Sequence, residues 1–233
     1  MAPDVTDGIK WYLAFVFSTA FHEASHAWTA LKLGDDTAHR GGQVTLDPTP
    51  HIRRSPIGMV VVPILSYALG GWMIGWASAP YNREWAIQNP RRAALMSMAG
   101  PASNLALVMA AAFLIRAGMA CHVFDAPGEI GLMRVVEASS PGIYLFLAKV
   151  VSIFFSLNLL LAIFNLIPLP PLDGSGIFMF FCTSESAARF LQALRHPAFN
   201  YAGLMISWRV MDAIFPSIQL FAVNLLYPGY GYH

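Results

Sequence analysis

Five long apolar stretches constrain the fold of this chain more than any other feature. They cover residues 9–33, 57–79, 93–120, 142–167 and 201–226 of the 233-residue sequence. A bilayer core about 30 Å thick needs roughly 20 apolar residues per helix, so each stretch reaches or approaches the length of a membrane span. Only 12% of the residues are charged, against about 25% in soluble domains. The sequence therefore predicts an integral, multi-pass membrane protein.

The predicted fold is an all-α, polytopic transmembrane helix bundle that forms one membrane-embedded domain over residues 1–233. We interpret the first stretch as a retained helix rather than a cleaved signal peptide, because Asp4 and Asp7 precede it and ionisable residues interrupt its second half. Three glycines between positions 70 and 75 make the second stretch a candidate re-entrant loop. The lipid bilayer is thus the first predicted partner.

Net charge and cysteine content exclude several other classes of protein. The formal net charge is +1 and the basic residues are scattered, so the chain lacks the basic patch of a nucleic-acid-binding protein. Cys121 and Cys182 are the only cysteines, which rules out a disulfide framework and a CxxC metal site within this sequence. We therefore expect no nucleic-acid partner.

The first apolar stretch contains the pattern HExxH, as His22, Glu23 and His26. Residues four apart lie on one face of a helix, so both imidazoles can reach one metal ion, and Glu23 is placed as a general base. The alternative is a solvated, charged helix face without a metal. Ionisable side chains inside a bilayer are costly and usually mark function, so the apolar setting favours the metal site.

A third ligand is needed, and Asp173 in the segment NLIPLPPLDGSG, residues 165–176, is the best candidate. Three prolines exclude a continuous helix there, and Gly174 and Gly176 permit tight backbone geometry, so the carboxylate can fold back into the bundle. An ordinary helix-capping aspartate is the alternative. Glu129 and Glu137 are the next candidates if Asp173 is not a ligand.

FHEASHA at 21–27 together with NLIPLPPLDG at 165–174 resembles the site-2 protease family of intramembrane zinc metalloproteases. GPASN at 100–104 is similar to the GPxxN segment that lies between the two metal motifs in that family. The resemblance implies that His22, His26 and Asp173 bind one catalytic Zn²⁺ per chain and that Glu23 is the catalytic glutamate. We expect no PDZ or CBS domain in these 233 residues.

The implied reaction is hydrolysis of peptide bonds in or near the transmembrane segments of membrane-protein substrates. One segment outside the apolar stretches could take part in this reaction. Val44, Thr45 and Leu46 alternate between apolar and polar and are flanked by turn-forming residues, which predicts a short membrane-adjacent β segment. Such a strand could pair with an unwound substrate. We expect Val44, Thr45, Leu46 and Asn165 to contact the substrate, Asn165 because it belongs to the family motif.

Two other functions remain open at this point. A membrane metal-binding or transport protein would use HExxH for ligands but would tolerate loss of Glu23. A non-catalytic scaffold for transmembrane partners would tolerate loss of any metal ligand.

Asn158 has either a substrate-binding role or only an interhelical hydrogen bond. We interpret residues 100–106 as mainly structural, with Asn104 hydrogen-bonding across the helix contact. Arg209 and Asp212 are interpreted as a local ion pair.

Overall fold

The computed structural model describes residues 4–194 and 196–233. It is a helix bundle with one small antiparallel sheet, consistent with the all-α membrane class predicted from the sequence. The helices are α1 (Val5–Leu33), α2 (Thr37–Arg40), α3 (Pro48–Arg54), a π-helical turn (Ile57–Val61) continued by α4 (Val62–Gly70), α5 (Arg83–Gln88), α6 (Pro90–Ala120), α7 (Ile143–Leu166), α8 (Asp173–Ile177) with a 3₁₀ turn (Phe178–Phe181), α9 (Ser184–Ala193) and α10 (Pro197–Leu226); the strands are β1 (Phe124–Asp125) and β2 (Glu137–Ala138).

Helices α1, α6 and α7 pack on one another and form the centre of the bundle. α1 begins where the Asp4 side chain accepts a hydrogen bond from the Thr6 amide, and it ends at Gly34 in the left-handed conformation. α6 runs antiparallel to α1 and continues through Pro101 without a break. These three helices position the candidate metal ligands and the residues behind them.

Three helices in the described part of the chain are long and apolar enough to cross a membrane, namely α6, α7 and α10. The pair of α3 and Ile57–Gly70 is bent by 113° and is either a broken span or a re-entrant loop. α1 has the necessary length but not the hydropathy, because His22, Glu23 and His26 interrupt its apolar run. Its apolar face is instead packed inside the bundle, where Trp11 and Phe15 are fully buried.

The second apolar stretch runs along the bundle and then returns. The Tyr67 hydroxyl donates to the carbonyl oxygen of Asp4 at 2.6 Å, so α4 reaches the N-terminal end of α1. After Trp72 the chain continues without regular secondary structure, and the Asn82 amide donates to Asp35 Oδ2 at 2.7 Å, beyond the C-terminal end of α1. The segment therefore begins and ends at the same end of the bundle, as the glycines between 70 and 75 indicated.

The predicted β segment at Val44, Thr45 and Leu46 is wrong. These residues form bends between the Gly41 turn and α3. The Asp47 amide donates to Thr45 Oγ1, and Asp47 then caps α3 through the Thr49 amide. Local side-chain hydrogen bonds therefore override a three-residue alternation that has no neighbouring strand to pair with. The small sheet, β1 with β2, lies instead between α6 and α7.

Candidate metal centre

Three potential ligand atoms from distant parts of the chain meet at one point inside the bundle. His22 Nε2 lies 3.0 Å from Asp173 Oδ2, His26 Nε2 lies 3.3 Å from the same oxygen, and the two Nε2 atoms are 3.0 Å apart. In the described part of the chain this is the group of His, Cys, Asp and Glu residues that could hold a metal ion. The geometry thus brings together all three predicted ligands.

Hydrogen bonds behind both imidazoles fix which ring nitrogen is free. His26 Nδ1 lies 2.7 Å from the carbonyl oxygen of Met96, and a carbonyl can only accept, so Nδ1 carries the proton. His22 Nδ1 donates to Asn104 Oδ1 at 2.5 Å. Both Nε2 lone pairs therefore point at the shared centre, an arrangement typical of metal-binding histidines.

The hydrogen-bond chain behind His22 continues across the bundle. Asn104 Nδ2 donates to Asn158 Oδ1 at 2.8 Å, and Asn158 Nδ2 donates to Ser18 Oγ at 2.9 Å. Asn104, Asn158 and Ser18 are fully buried. Asn158 makes the interhelical hydrogen bond that was one of its two predicted roles, and Asn104 acts on the metal centre itself rather than only on helix packing.

Asp173 is placed by the irregular segment that follows α7. Residues 167–172 leave the helical path, with a cis Pro170–Pro171 bond, and α8 then starts at Asp173. A Cβ on Gly174 would clash with the carbonyl oxygens at the end of α7, and one on Gly176 would clash with the Ser97 side chain. The two glycines thus let α8 sit between α7 and α6. The Asp173 side chain makes no helix cap.

The donor set fits a zinc ion. Two neutral imidazoles and one carboxylate are common zinc ligands, and three of them leave a fourth position open. Ligands about 2.0–2.1 Å from a tetrahedral zinc lie roughly 3.3 Å apart, close to the 3.0–3.3 Å seen here. With each Nδ1 hydrogen-bonded on its far side, the three facing atoms form a group that could hold a cation.

Glu23 lies on the cavity side of this centre. It is 6% exposed, and its carboxylate forms no hydrogen bond or ion pair within the described residues. A cavity of about 290 Å³ is lined by Glu23, His26 and Asp173 together with residues 77–81. A carboxylate without a protein partner, beside a candidate metal centre and an accessible cavity, is the arrangement that a general base requires.

Gly100 closes the other side of the centre. A Cβ at this position would clash with Nε2 of both His22 and His26. Only a glycine lets the α6 backbone approach the two imidazoles this closely.

Residues 77–81 line the cavity and have no regular secondary structure. The backbone N–H groups of Ala77, Ser78, Ala79 and Tyr81 form no hydrogen bond within the described structure, and Pro80 has no N–H. The flanking Trp76 and Asn82 amides do form hydrogen bonds, to Gly58 O and Asp35 Oδ2. From the sequence, residues 77–79 were predicted only as the end of the second apolar stretch, and no pairing role was predicted for them. Unpaired backbone beside the candidate centre is nevertheless the feature that strand pairing needs.

Other predicted residues lie outside the cavity lining. Asn165 is half-buried and donates to Leu161 O of its own helix at 3.0 Å. Val44, Thr45 and Leu46 are also absent from the cavity lining. Neither Arg209 nor Asp212 forms an ion pair with the other or with any residue in the described ranges, so the predicted local pair is wrong.

Comparison with known proteins gives the class to which this fold and centre belong. The family model for Peptidase family M50 matches residues 11–210. The chain belongs to this family, the site-2 proteases. No solved structure matches the chain significantly.

Named relatives agree with the family. The chain is 37% identical over 167 residues to "Putative zinc metalloprotease YwhC" of Bacillus subtilis, a match that covers 71% of this chain and 65% of that protein. It is 32% identical over 160 residues to "Putative zinc metalloprotease Rip2" of Mycobacterium tuberculosis, covering 69% of this chain and 52% of that protein. The chain thus spans between about half and two thirds of the length of the curated relatives it matches.

Proposed function

We propose that this protein is an intramembrane zinc metalloendopeptidase that hydrolyses peptide bonds in or near the transmembrane segments of other proteins. The observation that carries the proposal is the convergence of His22 Nε2, His26 Nε2 and Asp173 Oδ2 at 3.0–3.3 Å with both histidine tautomers fixed. Membership of Peptidase family M50 and three apolar helices of spanning length support the membrane setting.

Each residue of the centre has a separate task in the proposed reaction. His22, His26 and Asp173 would hold the ion, which when bound supplies Lewis-acid polarisation of the scissile carbonyl and of the attacking water. Glu23 accepts the proton of that water and then delivers it to the leaving amine. Met96 O and the Asn104 side chain keep the imidazoles in the tautomer that leaves Nε2 free.

The substrate must lose its helical hydrogen bonds before its carbonyl is accessible. The unpaired amides of residues 77–81 offer replacement partners for an unwound segment next to Glu23. We therefore assign substrate pairing to residues 77–81 rather than to Val44, Thr45 and Leu46, which are bent in the structure.

The test combines elemental analysis with a cleavage assay on protein reconstituted into vesicles. We expect one zinc per chain, loss of zinc from His22→Ala, His26→Ala and Asp173→Ala, and cleavage of a transmembrane model peptide that a chelator abolishes. Full zinc occupancy in Asp173→Ala would contradict the third ligand. Zinc binding without any cleavage by the parent would favour a metal-binding or transport protein.

A further inference from the structure

One wall of the cavity beside the candidate centre is formed by α9, a helix that the proposed chemistry does not use. The apolar face of this helix consists of residues at helical spacing, namely Ala187, Phe190, Leu191 and the C-cap residue Leu194. Its other face is exposed and carries an ion pair. Phe190, Leu191 and Leu194 line the cavity. The apolar face of α9 is therefore turned toward the space in front of the candidate centre.

The walls that α1 and α6 contribute beyond the centre are built from alanines. His26 Nδ1 meets Met96 O where the two antiparallel helices pack, so Ala30 and Ala93 both lie about one turn beyond the centre, in the same direction. In that direction α1 lines the cavity with Ala27 and Ala30, and α6 lines it with Ala93. These small side chains leave open the space that extends from the centre to α9.

This space is apolar and large enough for a side chain. The acidic residues that line the cavity, Glu23 and Asp173, belong to the centre, and no lysine or arginine of the described chain lines it. The cavity volume of about 290 Å³ is about twice the roughly 150 Å³ that suffices for a benzene molecule in an apolar protein cavity. We call its far part the α9 pocket, which is bounded by Ala30, Ala93, Phe190, Leu191 and Leu194.

We propose that the α9 pocket binds a bulky apolar side chain of the substrate, next to the scissile bond, and so determines which bond is cleaved. A substrate paired with residues 77–81 is extended, and an extended chain points alternate side chains to opposite faces. With the scissile carbonyl at the centre, the neighbouring side chain on the cavity face enters the pocket. A charged side chain would find no countercharge there. The inference rests on the proposed function and adds the substrate class, a segment with leucine or phenylalanine beside the cleaved bond.

Cleavage of matched substrates tests the preference. The scissile bond of a transmembrane model peptide is located by mass spectrometry, and the residue on each side of it is then changed in turn to alanine, leucine, phenylalanine or aspartate. At one of the two positions we expect leucine or phenylalanine to be cleaved at least about tenfold faster than alanine, the effect of filling an apolar pocket. Aspartate should be cleaved no faster than alanine. A ratio near one at both positions would overturn the proposal.

Substitutions in the pocket test where the preference arises. Ala30→Leu and Ala93→Leu fill the pocket from its alanine walls and should lower the phenylalanine-to-alanine rate ratio toward one. Ala110→Leu is the matched control, because Ala110 is exposed on α6 outside the cavity, and it should keep the parental ratio. Both rates come from one preparation, so the ratio does not depend on how much of a variant has folded. A parental ratio in both pocket variants would contradict the assignment.

Photolabelling reads the same contact without cleavage. A phenylalanine analogue that carries a diazirine is placed at each position of the model peptide in turn, and each peptide is irradiated in vesicles with Glu23→Gln, which should bind the substrate but cleave it slowly. We expect label on Phe190, Leu191 or Leu194 from a position next to the scissile bond. No label on these three residues from any position would overturn the α9 pocket, whatever the cleavage rates. Label on α9 from a peptide that the parent never cleaves would contradict only the proposed chemistry.

Discussion

Asn104 Oδ1 accepts a hydrogen bond from His22 Nδ1 at 2.5 Å, across 82 residues of sequence. The amide group of Asn104 in turn donates to Asn158. A residue that the sequence suggested as part of a helix contact thus determines the tautomer of a candidate metal ligand. This chain of buried amides links α6 and α7 to the centre on α1.

Replacing Asn104 should weaken metal binding without removing a ligand. We expect Asn104→Leu to lower zinc affinity about 10- to 100-fold, the usual effect of losing a hydrogen bond behind a ligating histidine. Competition with a chromogenic chelator measures the affinity. Asn165→Leu is the matched control, because Asn165 bonds only within its own helix. Equal affinities for the two variants would show that Asn104 does not orient His22.

Gly100 should tolerate no side chain. Because an added Cβ would clash with both Nε2 atoms, we expect Gly100→Ala to displace the imidazoles and lower cleavage about 100-fold, the scale of a 1 Å misplacement. Gly128→Ala is the control, since a Cβ there meets nothing within 4 Å. Parental cleavage by Gly100→Ala, at matched protein levels in the membrane, would contradict the close approach of α6.

Proline scanning distinguishes two places for substrate pairing. Ser78→Pro removes an amide donor beside the cavity, so we expect cleavage of a helical substrate to fall while zinc content stays at the parental level. Thr45→Pro removes a donor from the bent segment and should have the smaller effect. A loss of cleavage confined to Thr45→Pro would return the pairing site to Val44, Thr45 and Leu46.

The sequence predicted the parts of this protein that depend on residue type and helical spacing. The HExxH pattern and Asp173 predicted the three side chains that meet at the candidate metal centre, and the apolar stretches predicted the positions of the main helices. Hydrogen bonds between distant residues were not predictable, since nothing in the local pattern joins Asn104 to His22. The failure at Val44, Thr45 and Leu46 has a different cause: alternation over three residues carries too little information to outweigh the side-chain bonds of Thr45 and Asp47.

The orientation of the protein in the membrane can be predicted only once the tertiary structure shows which loops lie at the same end of the bundle. The loops on either side of residues 57–82 lie at the same end of the bundle, where Arg92 donates to the carbonyl oxygen of Leu33. This end carries eight of the described basic residues: Lys32, Arg40, Arg53, Arg54, Arg83, Arg91, Arg92 and Arg189. The opposite end carries four, Lys10, Arg116, Arg134 and Lys149, of which Lys10 and Lys149 pair with Asp7. The excess predicts that the first end faces the cytoplasm.

The two native cysteines make this orientation measurable. Cys121 follows α6 at the end with fewer basic residues, and Cys182 precedes α9 at the other end. In intact cells, a membrane-impermeant maleimide should label the Cys182→Ser variant, which retains Cys121. It should label the Cys121→Ser variant only after permeabilisation. The reverse pattern would invert the orientation.

The most direct test of the central claim is zinc content measured together with peptide cleavage in Glu23→Gln. Glutamine keeps the size and polarity of the side chain but cannot accept a proton at neutral pH. The three ligand atoms do not include Glu23, so zinc content should equal that of the parent. Cleavage should fall by roughly 10²- to 10⁴-fold, as expected for loss of a general base. Parental cleavage rates in Glu23→Gln with normal zinc would contradict the mechanism proposed for this centre.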